Sequence, residues 1–423
     1  MGSERLYYDD SYTTKFEARV IATGAHAGRP AVELETTYFF PESGGQEADR
    51  GRLGDARVAD VQADDDGRVW HVLAGDGAGS DGKALEGSAS AGPLAAAKLA
   101  AGSDSAGPLT AEVDWARRFD HMQQHTGQHM LSAAFERELG VATLSSHLGE
   151  ERSSIELALP DADWRTLDRV EEAANRVIWE NRPVRLHWTD DRGVAGFALR
   201  KPPKVSGRIR IVEIPDWDVS ACGGTHTRAT GEIGAIKIVR WEKVRGNARL
   251  EFLCGRRALS DHAWRTEALL EAAKRRTLKD RDLIAHLERA AEERDVLARR
   301  LDELTDRVLL AEARERVGDP PRGVADLSPA RPRDEVRRFA LKCLVAGAPW
   351  AIAAATAPEP TIVVARAKGP GPDLKPLAEE LRAIGGGKGG GGADYLQIAA
   401  ADGPRTEAAF RRAQEFLAAP QKD

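Results

Sequence analysis

Two short clusters carry the residue types that could do chemistry. In the run His125-Thr126-Gly127-Gln128-His129 the imidazoles stand at positions i and i+4. On an α-helix those positions share a face, so both rings can reach one ion. Cys222-Gly223-Gly224-Thr225-His226 repeats the interval with a thiol and an imidazole, and its two glycines let a short loop wrap around a metal. Either pair alone is a weak signal. Together they offer three imidazoles and one thiolate, a nitrogen and sulfur set that suits Zn²⁺, with one ion per chain expected from His125, His129, Cys222 and His226. The competing reading is a buried thiol beside capped helical histidines. It leaves the matching interval in both clusters unexplained.

The pattern departs from metalloprotease chemistry. That motif places a Glu after the first His as general base, and Thr126 stands there instead. An activated ester suits such a site better than a peptide. His121 lies one turn before His125 and reads as a ligand-orienting residue or a core histidine. His26, His71, His187, His262 and His286 have no partner visible in the sequence, and Cys254 and Cys343 read as small core residues.

The elements that must position these groups suggest an α+β protein of 423 residues with a net charge of −6. Residues 1–114 read as a small N-terminal β-barrel, with Phe16, Ala18, Val20 and Ala22 alternating as in a half-buried strand. A flexible insertion rich in Gly, Ala and Ser occupies about 74–108. Residues 115–258 form a mixed α+β zinc-binding core, with a helix expected over Phe119 to Arg137. Residues 259–318 read as a helical coiled-coil spacer, with Leu283, Leu287, Ala290, Leu297, Leu301, Leu304, Val308 and Ala311 spaced by fours and threes and Arg294 interrupting the seam. The Pro-rich stretch 319–333 reads as a linker, and 334–423 as a small α/β domain. No apolar run reaches the length of a membrane helix. The N-terminus lacks a signal-peptide core, and three widely spaced cysteines fit a reducing cytoplasm.

Three segments taken together resemble the alanyl-tRNA editing proteins, free-standing relatives of the editing domain of alanyl-tRNA synthetase. They are His125-Thr126-Gly127-Gln128-His129 preceded by Met122-Gln123-Gln124, then Cys222-Gly223-Gly224-Thr225-His226, and Tyr38-Phe39-Phe40-Pro41-Glu42-Ser43-Gly44-Gly45-Gln46. The metal motifs are shared with threonyl-tRNA synthetase editing domains; the segment around Gly44-Gly45-Gln46 points to the alanyl branch. The resemblance covers nearly the whole chain, as in the long members with a C-terminal glycine-rich domain. It implies ATP-independent hydrolysis of mischarged tRNA(Ala), above all seryl-tRNA(Ala), with glycyl-tRNA(Ala) beside it. It also implies that His125, His129, Cys222 and His226 are the zinc ligands, with Cys222, His125 and His129 carrying catalysis. The physics agrees: a pocket for alanine cannot exclude glycine by size and discriminates weakly against an added hydroxyl, so a second hydrolytic sieve is needed. The family places a polar specificity residue in the stretch after the metal helix, which suggests Thr143 and Ser146. Gly45 and Gln46 are expected beside the substrate. Editing of another mischarged tRNA, or a non-catalytic tRNA-binding role with structural zinc, are the alternatives. Aminoacylation motifs are absent, so a synthetase is not expected.

In a chain that is acidic overall, RNA must be held by local basic patches. Arg200, Lys201, Lys204, Arg208 and Arg210 flank Pro202-Pro203, and Arg240, Lys243, Arg245 and Arg249 surround Trp241 and Asn247. Both clusters are candidates for acceptor-stem phosphates. The run Gly385 to Gly392 is interrupted by one cation, Lys388, and resembles the glycine-rich, tRNA-binding loop of the synthetase C-terminal domain. It lacks the ending of a phosphate-binding P-loop and reads as a flexible loop. A homodimer through the coiled coil or the C-terminal domain completes the expected partners.

Overall fold

The computed structural model describes residues 2–74 and 108–419. Apart from its two end residues, the Gly-, Ala- and Ser-rich insertion expected at 74–108 lies outside the described residues. The described residues form a mixed α+β protein with seven α-helices. The chain divides into two compact units, Met1–Glu271 and Ala272–Asp423.

In the first unit, β1 (Glu4–Arg5) pairs in parallel with β5 (Thr36–Thr37). The largest sheet takes β2 (Lys15–Ala18), β3 (Val20–His26), β4 (Arg29–Leu34), β6 (Gly51–Leu53), β7 (Ala56–Ala63), β8 (Val69–Leu73) and β9 (Leu109–Val113). Their order is β2-β9-β6-β7-β8-β4-β3. The sheet curls into a half-barrel around Val32, Leu34, Phe39, Leu53, Val58, Val61 and Val69. Where the alternation suggests one strand from Phe16 to Ala22 in a barrel, the chain breaks at Arg19. The two pieces become the opposite edges of an open ladder, so the expected barrel is a half-barrel.

Inside it His71 is fully buried. Its Nδ1–H donates to the Val32 carbonyl (3.1 Å) and its Nε2 accepts from the Thr37 hydroxyl (2.8 Å). Burial lowers its pKa from 6.5 to about 4. A histidine depressed in this way costs stability as pH falls, because below 6.5 the unfolded chain takes a proton the folded one refuses. Between pH 7 and 4.5 that difference comes to about 2 kcal/mol. Urea titrations should therefore show His71→Gln losing about 2 kcal/mol less than the wild type over this range. Equal losses would contradict the buried neutral imidazole.

The rest of the unit is built on α1 (Trp115–Leu139), whose N-cap Asp114 accepts the Arg117 amide (3.2 Å). Gly140, with φ 66°, closes its C-terminus. Helix α1 and α2 (Trp164–Trp179) pack with an antiparallel sheet ordered β10-β11-β16-β15. Its strands are β10 (Thr143–Leu148), β11 (Ser153–Leu157), β15 (Ile236–Val244) and β16 (Asn247–Cys254). Their core contains Met130, Leu131, Phe135, Leu167, Val170, Ile155, Leu250 and Phe252. A three-stranded sheet of β12 (Arg185–Thr189), β13 (Ile209–Ile214) and β14 (Asp218–Ala221) lies in the same unit, and α3 (Gly255–Lys274) follows β16.

From His121 to Phe135 every residue of α1 is buried, so its polar side chains serve as internal fasteners. Gln124 pairs with the Cys254 backbone in both directions, donating to the carbonyl (3.1 Å) and accepting from the amide (2.9 Å). At Gly127 a Cβ would stand 2.3 Å from Cys254 Sγ, so only glycine lets α1 lie this close to β16.

The second unit holds α4 (Leu283–Val317), α5 (Arg333–Val345), α6 (Lys375–Gly385) and α7 (Gly403–Ala418). Its sheet runs β17-β18-β19-β21-β20, from β17 (Val324–Ser328), β18 (Trp350–Ala355), β19 (Thr361–Arg366), β20 (Gly389–Gly391) and β21 (Tyr395–Ala399). The C-terminal turns of α4 join α5 in one cluster, with Ala351, Ala353 and Val363; α6 and α7 form the other, with Ile352, Ala354 and Val364. Two readings change here. The Pro-rich stretch 319–333 contains β17, paired in parallel with β18. The glycine run is also more than a loop. Gly389 to Gly391 form an edge strand on β21. A Cβ at Gly387 or Gly391 would fall within 2 Å of the carbonyls of Ala399 or Tyr395, so these glycines permit the contact.

Candidate metal centre

The structure brings both clusters to one point. The donor atoms of His125, His129, Cys222 and His226 all lie within 4.8 Å of one another. Cys222 Sγ is 3.4 Å from His125 Nε2 and 3.3 Å from His226 Nε2. Tetrahedral Zn²⁺ with bonds of about 2.0–2.3 Å holds neighbouring donor atoms roughly 3.3–3.7 Å apart. The four side chains therefore suit such an ion in donor type, and the two thiol–imidazole distances match its spacing.

Each imidazole is oriented from behind by a different group. His125 Nδ1–H donates to Gln46 Oε1 (2.8 Å), which also takes the Thr225 amide (3.1 Å), while Gln46 Nε2 donates to Thr225 Oγ1 (2.8 Å). His129 Nδ1 donates to Asp218 Oδ2 (2.9 Å). His226 Nδ1 meets Thr126 Oγ1 (3.2 Å), which accepts the Thr227 amide (3.1 Å). Hydrogen bonding at Nδ1 fixes the tautomer that offers Nε2 to a metal.

The electrostatics suit a thiolate. Burial alone would raise the Cys222 thiol, but His125 and His226, with hydrogen bonds from His125 and His129, hold it well below its ordinary range. Burial lowers His129, yet Asp218 and Cys222 outweigh it and raise the ring to about 9. Burial and neighbouring His125 push His226 down to about 3. Burial opposes the ionised form of Asp218 as well, but His129 and Arg200 bring its carboxyl to about 2.

Glycines make the convergence possible. A Cβ on Gly224 would lie 2.1 Å from the His125 ring and 2.8 Å from Gln46 Oε1. Ser43 to Gln46 form a tight turn, with reciprocal backbone hydrogen bonds between its ends (3.0 Å each). Gly44 and Gly45 have φ of 61° and 85°, as a primed turn demands. The Gly45 carbonyl takes the Leu148 amide (2.9 Å), which docks the turn on β10. Gln46 is fully buried and bonds His125 directly.

A cavity of about 990 Å³ opens beside the four donors. His125, His129 and Cys222 line it together with Gly44, Gln128, Thr143, Ser145, Ser146, Arg200, Lys201 and Lys204. Thr143 is buried and donates its hydroxyl to Ser132 Oγ (2.8 Å). Arg200 points inward, to Asp218 Oδ1 (2.6 Å) and Ser220 Oγ (3.2 Å). Lys201 donates to the Thr143 carbonyl, and Lys204 is exposed. Arg240 and Lys243, both exposed on β15, are not among the lining residues; they meet Glu242 (3.4 Å) and Asp161 (3.1 Å). Lys388 is in the second unit, exposed before β20.

Sequence reasoning missed Asp218 and the part of Thr126, and took Arg210 for an RNA contact. Arg210 is buried and donates to the carbonyls of Cys222 (2.9 Å) and Gly224 (2.8 Å), so it holds the ligand loop. An acidic residue four positions before Cys222 and an arginine on an apolar strand are the only local signals for Asp218 and for this part of Arg210.

Comparison with known proteins agrees with this site. Residues 209–250, which include Cys222 and His226, match the family model described as the threonyl and alanyl tRNA synthetase second additional domain. Over 266 residues the chain is 30% identical to the alanyl-tRNA editing protein AlaX-L of Pyrococcus horikoshii, covering 61% of this chain and 59% of that protein. It is 34% identical to the alanine–tRNA ligase of Methanopyrus kandleri over 63% of this chain and 28% of the ligase. The ligase of Pyrobaculum neutrophilum matches over 93% of this chain and 42% of its own length, at 32% identity. The chain thus spans less than two thirds of each of these relatives. It is homologous to the editing protein AlaX-L and to alanine–tRNA ligases, and carries the domain those families share, a match consistent with the alanyl-tRNA editing family.

Proposed function

We propose that the chain is a zinc-dependent aminoacyl-tRNA deacylase that clears mischarged tRNA(Ala) in trans, chiefly seryl-tRNA(Ala) and also glycyl-tRNA(Ala). The observation that carries this reading is the placement of the ligands. His125, His129 and Cys222 face an open cavity while His226 lies behind them. A purely structural zinc needs no such cavity at its ligands. A zinc ion bound there would supply Lewis acidity at the ester carbonyl or a more acidic water. The chain's own residues do the rest. Asp218, Gln46 and Thr126 fix the rings, and Arg200 keeps Asp218 in place. Thr143 and Ser146 line the same wall and suit the serine hydroxyl, with Thr143 lone pairs free to accept because its own proton goes to Ser132. Lys201 and Lys204 suit the phosphates that follow; Arg240, Lys243 and Lys388 belong to more distant RNA contacts.

The partner is then tRNA, in the cytoplasm. No helix among the described residues is long and apolar enough to cross a membrane. The exposed stripe of Leu287, Leu297, Leu301, Leu304 and Val308 on α4 supports a homodimer through the coiled coil.

Deacylation of seryl-, glycyl- and alanyl-tRNA(Ala), with a seryl ester on another tRNA as control, tests the reading. Rapid release from seryl-tRNA(Ala) and slow release from alanyl-tRNA(Ala) are expected. Equal rates on seryl and alanyl esters would overturn the proofreading role, and preference for the control tRNA would overturn the substrate.

A further inference from the structure

The wall of the cavity carries an aromatic and cationic group that the metal chemistry leaves unused. Trp188, half-buried on β12, is pinned by its indole N–H to Asp9 Oδ1 (2.7 Å). The Tyr8 ring meets it edge-on, with centroids 5.9 Å apart and planes at 90°. The Arg208 guanidinium lies 3.9 Å over the Trp188 ring. Arg210 ties this wall to the metal loop, since the guanidinium that holds the Cys222 and Gly224 carbonyls also donates to the Tyr8 carbonyl (2.8 Å). Its Nη2 is buried and has no hydrogen-bond partner. Among the described residues Lys204 and Arg208, both exposed and lining the same cavity, have no carboxylate partner within ion-pair distance.

We infer that this wall is the seat of the 3′-terminal nucleotide of the RNA, with its base stacked on Trp188 under Arg208. The inference rests on the deacylase reading above. If the ester is held at His125, His129 and Cys222, the ribose that bears it is one bond away, and its base must find a place within the same cavity. Trp188 and Tyr8 are the aromatic side chains lining that cavity. The planar Arg208 cation already occupies a ring face at stacking distance, and being exposed it can lift to cover a base from the other side. Lys204 and the unpartnered Arg210 Nη2 supply positive charge for the adjoining phosphate.

Steady-state deacylation of seryl-tRNA(Ala) tests the seat. Loss of a stacked base should raise KM roughly ten- to hundredfold in Trp188→Ala, with kcat within about threefold of wild type and Trp188→Phe restoring most of the loss. Arg208→Met removes an exposed group and should raise KM by about three- to tenfold even where Trp188→Ala proves unstable. A second readout is inhibition by 3′-serylamino-3′-deoxyadenosine against the same compound without its base. The wild type should prefer the adenosine compound by about tenfold or more, and Trp188→Ala should lose that preference. Wild-type KM in both variants, with the adenosine preference intact, overturns the seat while leaving the deacylase standing. An inactive wild type overturns both.

Discussion

Cys222→Ala is expected to abolish metal retention and, with it, deacylation. Cys222 is the half-buried member of the four and the one whose Sγ touches two ligand nitrogens, at 3.4 and 3.3 Å. Removing it takes away the one thiolate that would balance the cation and leaves three imidazoles. Changes to groups behind a ligand typically cost 10- to 100-fold in metal affinity, so loss of the ligand itself should exceed about a hundredfold. Deacylation should fall in step with occupancy. The fold should persist, because the cores around Phe135 and Phe252 do not use the thiol. Metal analysis, circular dichroism and deacylation on one preparation check all three. Retained zinc in Cys222→Ala would remove the thiolate from the site.

Arg118→Ala should give the largest loss of stability. Arg118 has no exposed side-chain surface, and Asp49 is 1% exposed. Its Nε donates to both carboxylate oxygens (3.0 and 3.1 Å), Nη1 to the Ser11 carbonyl (2.7 Å), and Nη2 to Asp49 and the Tyr38 carbonyl. Asp49 in turn accepts the Phe40 amide (2.6 Å). One guanidinium thus joins the N-terminal segment, the Phe39-Phe40 segment and α1, two turns before His125. Breaking a buried pair by removing one partner costs about 3–5 kcal/mol, because the other charge stays buried. Chemical denaturation of Arg118→Ala should show a loss in that range. A double Arg118→Met, Asp49→Leu variant should recover only part, since the Ser11 and Tyr38 carbonyls and the Phe40 amide still lack partners. A loss below about 1 kcal/mol would show that the pair is solvated.

Spacing made half of the site legible. The i, i+4 histidines lie on a helix because the run from Trp115 to Leu139 has a cap at each end, Asp114 and Gly140. Gly44 and Gly45 stood out as part of a resemblance, and in the structure both take positive φ in the turn that carries Gln46 to His125. What the sequence hid depends on long-range contact. Asp218 reaches His129 across 89 positions and Arg210 reaches Tyr8 across 202, so neither partner can be read from local spacing. Arg200 read as an RNA contact because its neighbours are cationic, yet its guanidinium turns to Asp218. Glycine runs misled in the same way. Composition says flexible, while Gly387 and Gly391 pack against a neighbouring strand's carbonyls. The half-barrel was masked because alternation survives the break at Arg19, so a chain that leaves one sheet edge for the other still reads as one strand.

The most direct test is reversible metal removal from the full chain. Purified protein should hold one zinc per chain, lose seryl-tRNA(Ala) hydrolysis when a chelator strips it, and regain hydrolysis on adding one equivalent of zinc. Undiminished hydrolysis by the stripped protein would show that His125, His129, Cys222 and His226 do not act through a shared ion.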